Sequence, residues 1–394
     1  MGDEAWSEAI SRRWLSISEQ RLEVQTIRSD ALAELSSIQA DILILESQWL
    51  PTVVERGWVS PLPKQILESQ ADAPSTAASG NLRPNAWPLV WRQSATHGQR
   101  LWGIPLGVPM MTIVNDADSQ SPDLPTWRER MKLAPPGQGI DSTPSSEKPQ
   151  FPSRSYLLDR FLVVAANWNP RPDDTGFLFN INSGLAKLHD PWLLEVTTLF
   201  AEQFENRGEW VSMPPEKAWE NVAARNSDWG LAWPPLSGDS SLVVQAPDRW
   251  VDTGRGLVAM VTRRNRQSGP ANRFLLWLDE DQQRQEFATL CTAIQPGPEK
   301  WSSSTERSDV NRYRELVMRA FDDRFVVREL RFADSDPYRQ RLTEALQAII
   351  QNPASAEVEL KRCAADWDQM TSKLGRDLHK KRLARSFDLE PYRN

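Results

Sequence analysis

Hydrophobic and polar positions along the chain alternate between two periods. Ala5, Ala9, Ile10, Arg13, Trp14 and Ile17 carry the spacing of an amphipathic helix, and residues 21–27 (RLEVQTI) alternate like a half-buried strand. A second helical spacing at Ala31, Leu32, Leu35 and Ile38 leads into residues 40–45 (ADILIL), a short unbroken apolar run of the kind buried on both faces of a sheet. Helix and strand in turn predict an α/β fold whose sheets are mostly parallel and joined by right-handed crossovers. Residues 101–115 (LWGIPLGVPMMTIVN) are apolar but broken by Gly103, Pro105, Gly107 and Pro109, which suits a strand that bends or leaves its sheet.

Farther on, helical patterns cover residues 156–168, 192–205 and 215–225, and short strands are expected at 228–234 (DWGLAWP), 242–245 and 257–262 (LVAMVT). Helices follow at 271–278 and 283–294. From Asp309 onward the chain is almost wholly helical, with Leu342, Leu346, Ile349, Val358, Leu360, Trp367 and Leu374 on apolar faces. Residues 116–154 are rich in Pro, Ser, Gly and Asp, interrupted by one short helix with the capping pair Thr126 and Glu129, and read as a junction between two lobes.

A length of 394 residues exceeds one ordinary core and fits two lobes. Apolar residues at 40% and charged ones at 25% are the balance of a folded globular chain. The net charge of -7 and the absence of a strong basic cluster outside Arg376 to Arg385, itself read as a solvated helix face, argue against a nucleic-acid partner. No apolar run reaches the length of a membrane span. Residues 1–10 (MGDEAWSEAI) lack the basic start and apolar centre of a secretory signal, which by itself points to the cytoplasm.

Cys291 and Cys363 have no partners at metal-ligand spacing, so two buried thiols are expected and no metal or cofactor. No nucleophile elbow, P-loop, dinucleotide fingerprint or paired-histidine zinc motif occurs, and His97, His189 and His379 sit in polar flanks that suggest solvated side chains.

Several phrases, in this order, resemble the sugar-binding proteins of ABC importers, the group that includes maltose-binding protein. They are residues 41–49 with 57–63 (GWVSPLP), then Gly103 to Gly107 with Asn115, and Pro125, Thr126, Trp127 and Glu129. Gly230 to Pro234 and a closing helix bearing Ala364, Ala365, Trp367 and Asp368 complete the series. The resemblance implies a two-lobed periplasmic-binding-protein-like fold, each lobe a mostly parallel sheet flanked by helices, with a helical C-terminus. Lobe one would hold 1–114 and 255–297, and lobe two 115–254 and 298–394. It also implies a strand upstream of Met1, a location in the periplasm or outside the cell, a carbohydrate ligand, the transmembrane subunits of a permease as partners, and a monomer.

A sugar offers a C–H face and a rim of hydroxyls, so its site needs aromatic surfaces and planar polar groups. The chain has 18 Trp against 4 Tyr. Trp49, Trp102 and Trp233 fall where the family's cleft should lie, whereas Trp14, Trp127 and Trp367 keep the spacing of core residues. Glu46 and Gln48 follow a buried strand directly and are the polar candidates of lobe one. Asn115 and Asp228 complete the set, although Asn115, with Asp116, also fits plain turn chemistry. Two competing readings are a glycoside hydrolase, which would need two carboxylates about 5 to 9 Å apart, and a binding-protein fold kept for sensing or scaffolding.

Overall fold

The computed structural model describes residues 3–26, 39–62, 66, 87–116, 156–169, 176–204, 208–227, 229–235, 242–265, 268–291, 293–295, 308–321 and 326–392. Helix α1 (Asp3–Ser18) leads to strand β1 (Ile42–Glu46), which ends in a 3-10 turn (Ser47–Trp49) and the short α2 (Leu50–Glu55). Helix α3 (Leu89–Ser94), the hairpin β2 (Thr96–His97) and β3 (Arg100–Leu101), β4 (Ile104–Gly107) and β5 (Thr112–Asp116) follow. Next come α4 (Leu157–Trp168), α5 (Pro191–Phe204), α6 (Gly208–Ser212), α7 (Pro215–Ala223), β6 (Trp229–Ala232), β7 (Leu242–Gln245) and β8 (Leu257–Val261). The remainder is helical: α8 (Ser268–Leu278), α9 (Asp281–Ala288), α10 (Ser308–Phe321), α11 (Asp336–Gln351), α12 (Ala356–Leu374) and α13 (Arg376–Ser386).

Two three-stranded sheets organise the two lobes, in the orders β1-β8-β4 and β6-β5-β7. The broken apolar stretch 101–115 resolves into β4 in one sheet and β5 in the other, so the chain crosses between lobes at 108–111. It returns through 246–256 before β8. The returning segment is flanked by a stretch of lobe two: Val251 bridges Val327 in parallel, and the backbone N–H of Asp252 donates to Val327 O at 2.9 Å.

The expectation of mostly parallel sheets is corrected in detail. Every strand ladder among the described residues is antiparallel. Strands β1 and β4 do run the same way, but β8 enters from the other lobe and inserts between them in the opposite sense, with Leu43 opposite Met260 and Ile104 opposite Ala259. In the other sheet β5 holds the centre, with Thr112 opposite Ala232 and Val114 opposite Val244.

Residues 21–26 form no strand. Val24 is exposed, and a period-two pattern becomes a strand only where a neighbour completes its ladder. Ile27, the expected helix at 31–38, and residues 117–154 with Trp127 lie outside the described residues.

The largest core gathers α4, α5, α7 and α10–α12 around β5–β7; α4 is buried on almost every face. Sheet one is cored on one side by α1, α8 and α9, where Trp14 meets Phe274 edge-on at 5.2 Å, and on the other by α2 with Trp102. Cys291 and Cys363 are both buried, one in each of two separate cores. No helix among the described residues is long and apolar enough to cross a membrane.

Candidate functional site

The apolar run of β1 stops at Glu46, and the chain turns through Ser47, Gln48 and Trp49 before α2, so four side chains cluster at the strand's carboxyl end. All four are buried. Opposite them runs the crossing segment 252–256: Ser47 N donates to Gly256 O at 2.6 Å and Gln48 N to Gly254 O at 3.0 Å. Gly254 sits at φ +83, and a Cβ there would stand 2.7 Å from Cβ of Gln48, so this approach requires glycine. The segment is held from below by Asp252, which accepts from Gly254 N at 2.9 Å and is ion-paired with buried Arg331.

From this segment Arg255 reaches between the lobes. Its Nε donates to Asp159 Oδ2 of α4 at 2.8 Å, its Nη1 lies 3.4 Å from Glu46 Oε2, and its guanidinium stacks over the Tyr156 ring at 4.8 Å. Glu46 also accepts from Gln48 Nε2 at 2.5 Å. Arg339 of α11 closes the group on the other oxygen of Asp159 at 3.4 Å. Two carboxylates thus face two guanidiniums, drawn from four separate stretches of chain.

Burial works against the Arg255 charge, but Asp159 and Glu46 more than offset it and hold the guanidinium above its ordinary value. Arg339 goes the other way: burial lowers it, and Asp159, shared with Arg255, restores only part.

Trp233, one residue past β6, extends the cluster, meeting Tyr156 edge-on at 6.0 Å. Several buried polar atoms here have no protein hydrogen-bond partner: Nε1 of Trp49 and of Trp233, Oγ of Ser47, Oγ1 of Thr253 and Nη1 of Arg339. Such atoms also occur elsewhere among the described residues; the hydroxyl, indole and guanidinium groups gathered here have the donors and acceptors that a hydroxyl-rich ligand would use.

The structure therefore brings Glu46, Gln48, Trp49 and Trp233 into one neighbourhood and separates the other expected site residues. Trp102, expected at the cleft from the family resemblance, is instead fully buried beneath β1 and β8, with its Nε1–H donated to His97 O at 3.0 Å, so it is a core residue. Asn115 lies within the β5 ladder opposite Trp229 and Val243. The crossover is at 108–111, so β5 carries Asn115 three residues, about 10 Å, away from the Thr112 end where Trp233 emerges. Asp228 lies outside the described residues.

Asp159, Arg255, Arg339 and Tyr156 were missed from sequence. Asp159 did leave a signal, a charged pair with Arg160 within the apolar run LLDRFLVVAA.

Two histidines expected to be solvated are buried. His97 lies 3.2 Å from Glu55 Oε1. His379 is boxed by Phe179, Phe332 and Tyr338, the last stacked at 5.5 Å. Burial, helped by Arg382, pushes its imidazole down to about 4. Packing of the helix that bears it, rather than local polarity, decides its environment. His189 is exposed.

No protein-family model matches the sequence. No curated protein matches it either. Solved structures do match in fold over nearly the whole chain. The sugar-binding protein MalE of Xanthomonas citri superposes with a TM-score of 0.65 at 13% identity, covering 96% of each chain. An ABC transporter solute-binding protein from Agrobacterium radiobacter, solved with ribitol, gives 0.68 at 12% identity over 93% of this chain and 95% of its own. An ABC substrate-binding protein from Listeria monocytogenes, in complex with cycloalternan, gives 0.60 at 12% identity over 94% and 96%. The chain thus has the two-lobed fold of ABC-transporter solute-binding proteins.

Proposed function

We propose that this protein captures a carbohydrate or polyol between its lobes and delivers it to the membrane permease of an ABC importer, without chemical change to the cargo. The observation that carries the reading is the largely buried Glu46–Arg255–Asp159 bridge between the lobes, flanked by Trp49 and Trp233 and by polar atoms without partners among the described residues. Carboxylate and guanidinium groups match the paired hydroxyls of a sugar, and indole faces match its C–H surface. The ligands held by the Agrobacterium and Listeria proteins of the same fold favour that cargo class over amino acids or peptides.

In this reading lobe one comprises 1–111 and 255–297 and lobe two 112–254 and 298–394, the boundary expected at 114 moving back because β5 belongs to the second sheet. The segments 108–111 and 246–256 act as the hinge, and closure traps the cargo. The protein works outside the cytoplasmic membrane, as a monomer. Glu46, Gln48, Trp49 and Arg255 meet the cargo from one side, and Asp159, Arg339 and Trp233 from the other.

Intrinsic tryptophan fluorescence, titrated with monosaccharides, oligosaccharides and polyols and in parallel with amino acids and short peptides, tests the proposal. A saturable change confined to the carbohydrate set is expected. A response confined to amino acids or peptides refutes the cargo class.

A further inference from the structure

Beyond the crossing segments, the lobes are joined a second time by residues 387–392, which follow α13. Helix α13 packs against α12, and its Leu383 shares the lobe-two core with Trp367. The chain then leaves that core and lies across the β2–β3 hairpin of lobe one. At the hairpin tip Gly98 N donates to Arg385 O at 3.1 Å and Gly98 O accepts from Tyr392 N at 2.8 Å. Gln99 adds two bonds to Asp388: its backbone N–H to Oδ1 at 3.3 Å and its Nε2 to the backbone O at 3.0 Å.

The side chains seal the contact. Tyr392 sits edge-on to Trp102 at 5.4 Å and packs on the lobe-one core formed by Val53, Val54 and Trp102. Arg385 lies over the Tyr392 ring at 5.2 Å and pairs with Glu55 of α2 at 2.7 Å. One helical turn earlier, Arg382 pairs at 3.0 Å with Asp334, which also holds Arg56 of lobe one at 3.2 Å. Asp388 is tied back to lobe two by Arg328 at 3.2 Å.

Gly98 is at φ +56, and a Cβ on it would stand 2.6 Å from Tyr392 N and 2.7 Å from Tyr392 Cβ. The hairpin tip is therefore shaped to this segment, since any side chain there would lift it off.

A rotation of the lobes about the crossing segments must stretch these bonds, because their two ends belong to different lobes. We propose that residues 387–392 form a strap that restrains interlobe opening, so that the empty protein rests more closed than its hinge alone would set and opens by releasing Tyr392 from the hairpin tip. The inference depends on the two-lobed architecture and not on the nature of the cargo.

The test is the interlobe distance in the full chain with no cargo added. Spin labels at Gln285→Cys on α9 and Glu202→Cys on α5, both exposed, report the two lobes, and the native thiols are buried. Pulsed electron-spin distances are compared among the native strap, Tyr392→Ala, Asp388→Gly and Leu389→Ala. Asp388 has φ +58, a conformation glycine adopts readily, so Asp388→Gly removes the carboxylate without backbone strain and should fold even if Tyr392→Ala does not. Leu389 is exposed and serves as the control. A longer and broader distribution in Tyr392→Ala and Asp388→Gly, with Leu389→Ala as native, is the expected result. A native distribution in folded Asp388→Gly overturns the strap.

Discussion

Replacing Asp159 with asparagine keeps the shape of the interlobe cluster and removes the charge on which two guanidiniums, the largely buried Arg255 and the buried Arg339, depend. Asp159 is wholly buried, holds Arg255 at 2.8 Å and Arg339 at 3.4 Å, and is the ion-pair partner of Arg339 among the described residues. Removing one member of a buried pair typically costs about 3 to 5 kcal/mol, because the remaining charge is left in a poorly solvating interior. Arg255 keeps Glu46 at 3.4 Å, which places the expected loss for Asp159→Asn near the lower end, about 3 kcal/mol, or roughly two orders of magnitude in the unfolding equilibrium. Glu46→Gln should cost only about 1 kcal/mol, since its contact to Arg255 is long and Gln48 can still donate to the new side chain.

Urea unfolding followed by tryptophan fluorescence measures both. Adding Arg339→Met to Asp159→Asn should recover part of the loss, and the double-mutant cycle reports their coupling. If Asp159→Asn costs less than about 0.5 kcal/mol, or no more than Glu46→Gln, the buried cluster does not hold the lobes as argued.

Three further expectations concern acidity and backbone. His379 stays neutral in the fold down to about 4 while the unfolded imidazole protonates near 6.5, so acidification from pH 6.5 to 4 should remove up to about 3 kcal/mol of stability. His379→Phe, which suits the aromatic box, should flatten that part of the stability-against-pH curve; an unchanged slope would show that other groups cause it. Glu329, buried against the backbone N–H groups of Phe177 and Leu178, is raised by burial to about 7 from 4.5. Its contribution is full below pH 4.5 and is lost as the pH rises through 7, so Glu329→Gln should stabilise the protein at pH 8 and have little effect at pH 4 in thermal melts; equal effects at both values would contradict the assignment. Gly254→Ala should cost about 1 to 3 kcal/mol, because it meets both a left-handed φ and Gln48, and a melting temperature matching the native one would refute the close approach.

How much of this was legible in the sequence depends on the range of the forces involved. The run ILIL before Glu46 is a local signal that located β1, and the breaks from Gly103 to Pro109 marked 101–115 as a strand that bends or leaves its sheet; they did not separate β4 from β5, and the lobe boundary expected at 114 lies instead at 108–111. Residues 242–245 emerged as β7 with no change of boundary. Strand partners are not local, which is why the insertion of β8 between β1 and β4 was hidden, and why the alternation at 21–26 misled.

The same division runs through the site. Glu46, Gln48 and Trp49 could be placed because they end a buried strand. Asp159, Arg255 and Arg339 come together only when three distant segments pack, and nothing local in their surroundings pairs them. Trp102 departs from its expected place for a related reason: a resemblance along the chain does not say which face of the sheet is covered, and α2 and Tyr392 cover this one.

The central claim is carbohydrate capture between the lobes, and isothermal titration of the full chain with the sugar or polyol that changes its fluorescence tests it most directly, repeated on Trp233→Ala and Asp159→Asn with the cargo recovered afterwards for analysis. Saturable one-to-one binding, weakened in both variants, with the cargo recovered unchanged, is the predicted result. Binding that both variants leave intact, or recovery of the sugar as cleavage products, would contradict the account.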